Sequence, residues 1–531
     1  MKLATAGEMA AVDRCASELH GVPVSLLMER AGSRAAAAAQ LLLPTAGDRR
    51  VAILCGRGNN GGDGLVAARL LREGGAAVRA ILVGERSGLR PDARDAWEAT
   101  LAAGVETSVC TSADEIAALR VSLREVDLVV DALLGTGFTP PARGLVLQAI
   151  GLINSLGRPV LALDLPSGLA ADDGRVNGEA VRATATVTFG YPKPCLVLHP
   201  AAQHVGRLWL ADIGLPPAAD ALVAGDLRLT TARDLRLHLA PRDPESHKGT
   251  FGHVLLVAGS CGMAGAAVLA ARGALRSGAG VVTVCLPAAI APAFLPDLPE
   301  AMLLSLPDVA DPAGVRAAAA LLAQQFPRAS ALALGPGLSR SEGAAQLVRA
   351  LCAAAELPLL LDADALHALA AAGPPLIARR AAPAVLTPHP GELSRLMGTS
   401  TERVQADRIG AARACAARYN AVVVLKGART VVAPPHGPAW INPTGTPAMA
   451  AAGMGDVLSG VVAAHLARGV PPLEAALLGA YLHGRAGERV AAERGPWGIL
   501  ASEVADAIPA AVNQVLNDDA PADADLTLLI P

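Results

Sequence analysis

The feature that most constrains the fold is a repeated alternation of short apolar runs with longer stretches of helical pattern. This alternation is typical of βαβ units and predicts a parallel sheet covered by helices. In the first part of the chain, a helical segment at roughly 25–43 is followed by apolar runs at residues 50–54, 77–83, 126–130, 159–163 and 185–189.

The alternation stops between Gly214 and Asp226, where the sequence has a proline pair and no strand pattern. Because 531 residues are too many for one hydrophobic core, we predict two α/β domains, at residues 1–218 and 226–516. The second series has apolar runs at residues 252–258, 280–286, 329–334, 358–361, 384–387 and 421–425, with a long helical stretch from Gly455 onward.

The last segment, residues 517–531, begins with an acidic stretch rich in proline and alanine. Such a composition predicts a mobile end, although the apolar residues 526–530 are also able to add an edge strand. The alternatives stay open at this point.

Charge and composition exclude several classes of partner. The net charge is −3 and the charges of both signs are interleaved, so we expect neither nucleic acid nor an anionic membrane as a partner. The start of the chain lacks an apolar targeting segment and the apolar runs have strand length, so we expect a cytoplasmic protein. We also expect an oligomer of identical chains, of a size that the sequence does not give.

The cysteines lie far apart and include no C-x-x-C pair, which indicates neither a disulfide framework nor a zinc site. We expect them to be small buried apolar residues. They are Cys15, Cys55, Cys110, Cys195, Cys261, Cys285, Cys352 and Cys415.

A glycine-rich segment, Cys55 to Gly64, follows the first apolar run and precedes a helix that we expect to start near Leu65. Such a loop lets backbone N–H groups approach a phosphate at the positive end of a helix. The alternative is a tight strand-to-helix turn that binds nothing.

Two further strands of this half end in a carboxylate, at Asp131 and Asp164. The carboxyl ends of parallel strands line one crevice, so these two residues and Asn60 are expected to converge. An isolated Asp at a strand end is more often a helix cap. Helix capping does not explain three polar loops at the same edge of the sheet.

The segments Gly58 to Gly64, Asp131 to Gly137 and Asp164 to Gly168, with Met28 to Gly32 upstream, resemble the NAD(P)H-hydrate epimerase family over roughly residues 1–215. The resemblance implies a potassium ion held by Asn60, Asp131 and Ser167, whose hard oxygen donors suit such a cation. Asp164 is then the candidate catalytic residue that moves a proton. The implied substrate contacts are Asn59, Asn60, Gly61, Gly62, Asp63, Gly135, Thr136, Gly137, Phe138, Thr139, Pro140, Pro141 and Asp164.

Some proteins with this N-terminal fold only bind or scaffold, and fold alone does not separate them from enzymes. The presence of Asp131, Asp164 and the complete Asn-Asn-Gly-Gly-Asp segment favours an active epimerase.

In the second half, the segment Ala452 to Gly460 opens the long helix with a glycine-rich turn. Its amide groups form an anion hole suited to a transferred phosphate, and Asp456 stands beside it as a potential base. The alternative is a glycine-rich helix cap without a ligand.

Together with His247-Lys248-Gly249, Leu386 to Glu392 and Leu425-Lys426-Gly427, this turn resembles the ADP- or ATP-dependent NAD(P)H-hydrate dehydratases of the ribokinase-like superfamily, over roughly residues 230–515. The implied hydrate contacts are Ala266, Gly337, His389 and Asp456. The implied nucleotide contacts are Lys426, Gly427, Ala428, Arg429, Thr430 and Gly455.

A histidine such as His389 more often has a structural role when it stands alone. The surrounding motif instead favours a contact with the hydrate. One position departs from the family, because Ala451 stands where a Thr or Ser usually precedes Ala-Gly-Met-Gly-Asp. A hydroxyl that could contact phosphate is therefore missing, which bears on catalytic efficiency.

The two resemblances together imply a Rossmann-like three-layer αβα domain followed by a ribokinase-like α/β domain. They predict a bifunctional enzyme, an isomerase and a lyase, that epimerises the hydrates NADHX and NADPHX and dehydrates the S form with ADP or ATP and Mg²⁺. The alternative is a small-molecule kinase of the same superfamily, with an N-terminal nucleotide-binding or scaffold domain. The fusion of both domains in one chain favours repair.

Overall fold

A computed structural model describes residues 1–45, 47–239, 241–294, 296–517 and 526–530. Over these residues the chain forms two compact units. The N-terminal unit contains residues 2–227 and 526–530, and the C-terminal unit contains Met1 and residues 228–517.

The strands are mostly runs of Val, Ile, Leu and Ala, as expected for parallel strands buried on both faces. They are β1 (Arg50–Cys55), β2 (Ala77–Val83), β3 (Glu106–Cys110), β4 (Leu128–Ala132), β5 (Val160–Leu163), β6 (Ala185–Phe189), β7 (Arg207–Ala211), β8 (Leu227–Leu229), β9 (His253–Val257), β10 (Val281–Pro287), β11 (Met302–Leu306), β12 (Ala331–Leu334), β13 (Leu359–Leu361), β14 (Ala384–Leu386), β15 (Val422–Leu425), β16 (Val431–Ala433), β17 (Ala439–Ile441) and β18 (Leu526–Ile530).

Several helices begin at a Ser, Thr or Asp whose side chain accepts a backbone N–H of the first turn. The helices are α1 (Ala6–Arg14), α2 (Val24–Gln40), α3 (Asn59–Glu73), α4 (Pro91–Ala102), α5 (Ala113–Ser122), α6 (Gly144–Ser155), α7 (Pro194–Val197), α8 (Ala232–Arg236), α9 (Ala264–Arg276), α10 (Ala291–Phe294), α11 (Pro312–Ala323), α12 (Glu342–Ala354), α13 (Ala363–Ala372), α14 (Pro390–Met397), α15 (Thr401–Ala406), α16 (Arg408–Tyr419), α17 (Met454–Ala467), α18 (Pro472–Arg494) and α19 (Ala501–Leu516).

The N-terminal unit is built on an eight-stranded sheet in the order β18-β7-β6-β5-β4-β1-β2-β3. Its strands pair in parallel except β18, which is antiparallel to β7. Alternate residues of β1 enter two different cores: Val51 and Ile53 pack with α2, α3 and α4, whereas Ala52 and Leu54 pack with α5 and α6. The predicted three-layer αβα architecture is therefore confirmed.

The C-terminal unit is built on a ten-stranded sheet in the order β11-β10-β9-β12-β13-β14-β15-β16-β17-β8. Strands β9 to β15 pair in parallel with their neighbours, and β16 is antiparallel to both β15 and β17. Helices α9, α17, α18 and α19 bury their apolar residues together with β9 and β10 in one large core. The predicted α/β class is confirmed for this half as well.

Each sheet has one point at which the direction of strand addition reverses. In the N-terminal unit it lies between β1 and β4, and in the C-terminal unit between β9 and β12. Ligands of open α/β sheets bind outside the carboxyl ends of the strands at such points.

Two predicted helices differ most from the structure. Helix α3 begins at Asn59 rather than near Leu65, so the predicted loop is partly a helical turn. Glycine has low helix propensity, but here it allows close packing, because a Cβ at Gly61 would overlap the carbonyl oxygen of Gly56. The long helical stretch from Gly455 is two helices, α17 and α18, separated where Gly469 has a φ of +81° and prolines follow.

The end of the chain is partly ordered. Residues 526–530 form the edge strand β18 on β7, so the mobile end expected for 517–531 is wrong for this part. Residues 518–525 lie outside the described residues.

The segment without strand pattern between the two series is also packed. Ala219 and Val223 are buried against Met9 and Val12 of α1. Cys261 is exposed, so the prediction of a buried side chain is wrong there, while the other cysteines are buried and all are free thiols. Within the described ranges, no helix combines the length and apolar character needed to cross a membrane.

Candidate active sites

The N-terminal site forms at the reversal point between β1 and β4. Asn60 lies in the first turn of α3, directly after β1, and is buried. Its side-chain nitrogen donates to the carbonyl oxygens of Leu134, at 2.7 Å, and Leu163, at 3.2 Å. Asn60 thus ties the end of β1 to the loop after β4 and to the end of β5.

Asp131 is fully buried near the end of β4 and is bonded to Ser167 rather than capping a helix. The backbone N–H of Ser167 donates to Oδ2 at 2.8 Å, and the Ser167 hydroxyl donates to Oδ1 at 2.7 Å. Burial raises the pKa of Asp131 to about 6, although the hydrogen bonds from Ser167 and Leu133 act in the opposite direction.

The oxygens of Asn60, Asp131 and Ser167 form a donor set of hard ligands. Among the described residues, the Asn60 Oδ1 is buried and has no hydrogen-bond partner. A buried acceptor without a donor is costly unless a ligand satisfies it. The predicted potassium ligands therefore fit a monovalent cation that takes oxygen donors.

Asp164 follows β5 and is held at both carboxylate oxygens. Its Oδ1 lies 2.6 Å from Nζ of Lys193, and its Oδ2 accepts the backbone N–H of Thr136 at 3.2 Å. The residue has a φ of +66°, an uncommon conformation for a non-glycine residue. Its side chain keeps 14% of its surface exposed, so it stays accessible at the edge of the site.

The structure brings only part of the predicted substrate loop to Asp164. A Cβ at Gly135 would lie 3.3 Å from Asn60 and 3.4 Å from Asp164 Oδ2, so this glycine lines the site. Phe138 instead packs on the core beneath α5 and α6. The other predicted positions that are exposed or half-buried are Asn59, Gly137, Thr139, Pro140 and Pro141.

The carboxyl of Asp63 on α3 faces Asp164 and a residue that the sequence reasoning missed, Asp13 at the end of α1. Burial raises the pKa of Asp63 well above its usual range, and the charges of Asp164 and Asp13 raise it further. Gly62, also predicted to contact substrate, packs against Met28, since a Cβ there would lie 2.5 Å from the Met28 side chain.

Lys193 is the main residue that sequence reasoning missed in this site. Its side chain is almost completely buried and forms an ion pair with Asp164. The available signal was its rarity, because only Lys2, Lys193, Lys248 and Lys426 are lysines among 45 basic residues.

The C-terminal site forms at the reversal point between β9 and β12. The loop after β9 is bonded to the loop after β12, through Gly259 N–H to Pro336 O and the Ser260 hydroxyl to Gly337 O, both at 2.8 Å. Gly337 has a φ of +63°, and a Cβ there would lie 2.9 Å from the Cβ of Ala266. The structure thus places two predicted hydrate contacts, Ala266 and Gly337, side by side.

Helix α17 begins in this site with its amide groups available for an anion. Its cap residue, Gly453, has a φ of +87°, and Gly455 lies in the first turn near Nζ of Lys426. A helix N-terminus with free N–H groups favours negative charge.

Asp456 lies in the same first turn and is partly buried. Its pKa is raised to about 7, mainly by burial and then by the carboxylates of Asp362 and Asp364, while Lys426 acts in the opposite direction. A carboxyl with a pKa near neutrality is suited to accept a proton from a hydroxyl.

A buried ion pair is hydrogen-bonded to helix α17. Lys426 Nζ donates to Asp362 Oδ1 at 2.7 Å, and the Ser459 hydroxyl donates to Asp362 Oδ2, also at 2.7 Å. Burial alone would lower the pKa of Lys426, but the facing charges of Asp362 and Glu392 outweigh it and the pKa is raised. Sequence reasoning assigned no role to Asp362 or Ser459. Asp362 follows β13, and its bonds to Lys426 and Ser459 connect it to the end of β15 and to α17.

His389 caps α14 and belongs to the same network. Its Nδ1 accepts the N–H groups of Gly391, at 3.0 Å, and Glu392, at 3.4 Å. Glu392 Oε2 lies 3.8 Å from Lys426 Nζ, so His389 is close to the ion pair, with 52% of its side chain exposed. The residue therefore caps α14 and keeps about half of its side chain exposed beside the ion pair.

The predicted nucleotide segment after β15 is a closed turn. The Thr430 hydroxyl donates to Gly427 O at 3.0 Å, and Gly427 and Ala428 are exposed. The Arg429 guanidinium donates to the carbonyl oxygen of Pro443, so this side chain is already engaged. Across the described residues, no cluster of three or more His, Cys, Asp or Glu is arranged to hold a metal.

Comparison with known proteins gives a match for each half. Residues 24–195 match the family described as YjeF-related protein N-terminus, and residues 254–510 match the family described as NAD(P)H-hydrate dehydratase. A solved ADP/ATP-dependent NAD(P)H-hydrate dehydratase from Bacillus subtilis, co-crystallised with ATP and Mg²⁺, is 36% identical, with a TM-score of 0.48. That match covers 54% of this chain and 98% of the other.

Relatives named bifunctional NAD(P)H-hydrate repair enzyme Nnr match nearly the whole chain. The protein from Moorella thermoacetica is 43% identical over 512 residues, covering 96% of each chain. The protein from Thermofilum pendens is 39% identical over 518 residues, covering 98% of this chain and 97% of its own. The chain therefore belongs to the family of bifunctional NAD(P)H-hydrate repair enzymes.

Proposed function

We propose that the protein repairs hydrated NADH and NADPH in two steps. Residues 1–218 interconvert the R and S hydrates, and residues 226–516 dehydrate the S form at the expense of ADP. The observation that carries the proposal is that each half presents an accessible aspartate near the reversal point of its sheet. Asp164 is held by Lys193 and Thr136, and Asp456 stands at the N-terminus of α17.

For epimerisation, the carbon that changes configuration carries both the hydroxyl group and the ring nitrogen. Asp164 takes the hydroxyl proton as the bond from this carbon to the ring nitrogen breaks, so that the carbon becomes an aldehyde and the nitrogen keeps the bonding electrons and receives the proton from Asp164. Closure on the opposite face of the aldehyde, with return of the proton, gives the other epimer. The N–H of Thr136 and the ammonium of Lys193 donate hydrogen bonds that stabilise the Asp164 carboxylate.

A potassium ion in this domain would be held by Asn60, Asp131 and Ser167. When bound, it would supply positive charge next to the glycine-rich segment at the start of α3. Support comes from the unsatisfied Asn60 Oδ1 among the described residues and from the hard oxygen donors beside it.

For dehydration, hydroxide is a poor leaving group, so the hydroxyl must first be phosphorylated. Asp456 removes the hydroxyl proton as the oxygen attacks the terminal phosphate of ADP, whose charge is stabilised by the first-turn amides of α17. The bond between the two phosphates breaks, and AMP leaves. The lone pair on the ring nitrogen then expels phosphate and, with loss of a neighbouring proton, the dihydronicotinamide ring is restored.

Mg²⁺ would enter with the nucleotide and neutralise its phosphates. The carboxylate of Asp364, whose charge acts on Asp456, offers oxygen ligands of the kind that Mg²⁺ prefers. Lys426 and the turn up to Thr430 are proposed for the adenine nucleotide, and ADP is proposed over ATP. The oligomer of identical chains stays a prediction.

The test is recovery of absorbance near roughly 340 nm, which belongs to the conjugated dihydronicotinamide, from a mixture of R- and S-NADH hydrate with K⁺, Mg²⁺ and ADP or ATP. Complete recovery supports both activities. Recovery that stops when the S form is exhausted contradicts the epimerase half, and no recovery with either nucleotide contradicts the whole proposal.

A further inference from the structure

Lys193 uses its ammonium group entirely within the protein. Its side chain is 1% exposed, and Nζ donates to Asp164 Oδ1 at 2.6 Å, Thr188 Oγ1 at 2.9 Å and Phe189 O at 3.0 Å. An ammonium has three N–H donors, so all of them are engaged. The group is therefore placed to act on Asp164 rather than on a ligand.

The topology explains why these two residues meet. Asp164 follows β5, and Lys193 follows β6, which is the parallel neighbour of β5. The N–H of Asp164 also donates to Val187 O of β6 at 2.7 Å. Backbone and side chain thus fix Asp164 to the same neighbouring strand.

Asp164 also interacts electrostatically with other acidic groups. Burial raises the pKa of Asp63 well above its usual range, and the charges of Asp164 and Asp13 raise it further. Like charges close together disfavour full ionisation of the set. Lys193 supplies the opposing charge at hydrogen-bond distance, and its short charge-assisted bond also fixes the orientation of the carboxylate.

We propose that Lys193 is a positioning residue of the epimerase site, which fixes the Asp164 carboxylate through Oδ1 and directs its Oδ2 toward the Gly135–Thr136 loop. Lys193 itself does not touch the substrate. Thr188 completes the arrangement, because its hydroxyl accepts from Nζ and lies 3.4 Å from Asp164 Oδ1. This inference rests on the proposed role of Asp164 in epimerisation.

The experiment uses the full chain without nucleotide, so that only epimerisation proceeds, and follows conversion of pure R-NADH hydrate to the S form by chromatography. Lys193→Met should lower kcat about 100-fold, the range for loss of a supported acid–base group, with KM within about threefold of wild type. Lys2→Met is the matched control, because Lys2 pairs with Asp220 in the same unit, and it should behave as wild type. Dehydration of S-hydrate with ADP should be unchanged in both variants.

Chemical rescue separates positioning from a packing role. Ethylammonium added to Lys193→Ala should restore kcat at least about tenfold, while tetramethylammonium, which has no N–H donor, should not. A kcat of Lys193→Met within threefold of wild type, or equal rescue by both cations, would overturn the proposal.

Thr188→Val keeps the shape and removes the hydroxyl, which covers the case in which the lysine variants do not fold. It should lower kcat about fivefold with KM unchanged, the effect of one hydrogen bond, and a wild-type kcat would overturn the proposal. If wild-type protein fails to epimerise the hydrate, the proposed function fails instead, and the two results are thereby distinguished.

Discussion

The two sites use the same elements in different arrangements. Each lies at the reversal point of a parallel sheet and contains a buried Lys–Asp ion pair, Lys193 with Asp164 at 2.6 Å and Lys426 with Asp362 at 2.7 Å. In the N-terminal site the lysine contacts the candidate catalytic aspartate itself. In the C-terminal site it contacts a neighbour, and Asp456 has a pKa of about 7.

The difference follows from what each site must bind. In the epimerase site a carboxylate exchanges a proton with a hydroxyl, and a direct ion pair with Lys193 holds that carboxylate in one orientation. In the dehydratase site a polyanionic nucleotide must approach, and the amides of α17 provide for it. There the ion pair of Lys426 and Asp362 is bonded to Ser459 and so fixes the N-terminal half of α17, which leaves Asp456 free to accept a proton.

The largest expected effect separates the two activities. Asp164→Asn should lower the epimerase kcat by about 1,000-fold and leave dehydration of S-hydrate intact, and Asp456→Asn should do the reverse, because each removes one acid–base group. Both rates are measured on the same protein samples. Loss of both activities in either variant would show that the sites are not independent.

The next effect concerns stability. Asp362→Asn leaves Lys426 buried without its partner charge, so the C-terminal unit should lose roughly 3 kcal/mol of local stability. Hydrogen–deuterium exchange of the full chain should show faster exchange in peptides covering β13 and β15, with N-terminal peptides as the internal reference.

The matched control for this variant is Asp506→Asn. Asp506 pairs at the surface with Arg272 and keeps 37% of its side chain exposed, so its loss should change stability by less than about 1 kcal/mol. Equal exchange in both variants would contradict a supporting role for the buried pair.

The pH dependence of dehydration follows from Asp456. A base with a pKa of about 7 is ionised above that pH, so kcat/KM for S-hydrate should reach a plateau above pH 7 and fall about tenfold per unit below it. A rate that stays flat between pH 8 and pH 5.5 would argue against Asp456 as the base.

The smallest effect concerns Ala451, which is exposed just before the cap of α17. Ala451→Thr adds the hydroxyl that the family usually has, and one added hydrogen bond to phosphate should raise the dehydratase kcat roughly threefold. Ala451→Val adds similar bulk without the hydroxyl and should have no such effect. An equal gain in both variants would mean that the hydroxyl is not the cause.

The central strands could be predicted from sequence because both faces are buried and the residues are aliphatic throughout. Strand β2 has the predicted bounds, and β1 differs by one residue. The edge strand β3 has the sequence Glu-Thr-Ser-Val-Cys and carries exposed positions, so it lacks a continuous apolar run and went unrecognised.

The candidate site residues divide in a similar way. Asp131 and Asp164 follow recognisable strands, so their convergence could be expected from topology alone. Lys193 and Asp362 act through ion pairs between loops far apart in sequence, and no local pattern specifies such a partner. The start of α3 was misjudged because the glycines that permit close packing also lower helix propensity.

The most direct test of the central claim is complementation between the two variants with pure R-NADH hydrate, K⁺, Mg²⁺ and ADP. Neither Asp164→Asn nor Asp456→Asn alone should restore absorbance, because one cannot form the S hydrate and the other cannot dehydrate it. Mixed together, they should restore it completely. Failure of the mixture, or full recovery by either variant alone, would contradict the account of two independent sites that each depend on one aspartate.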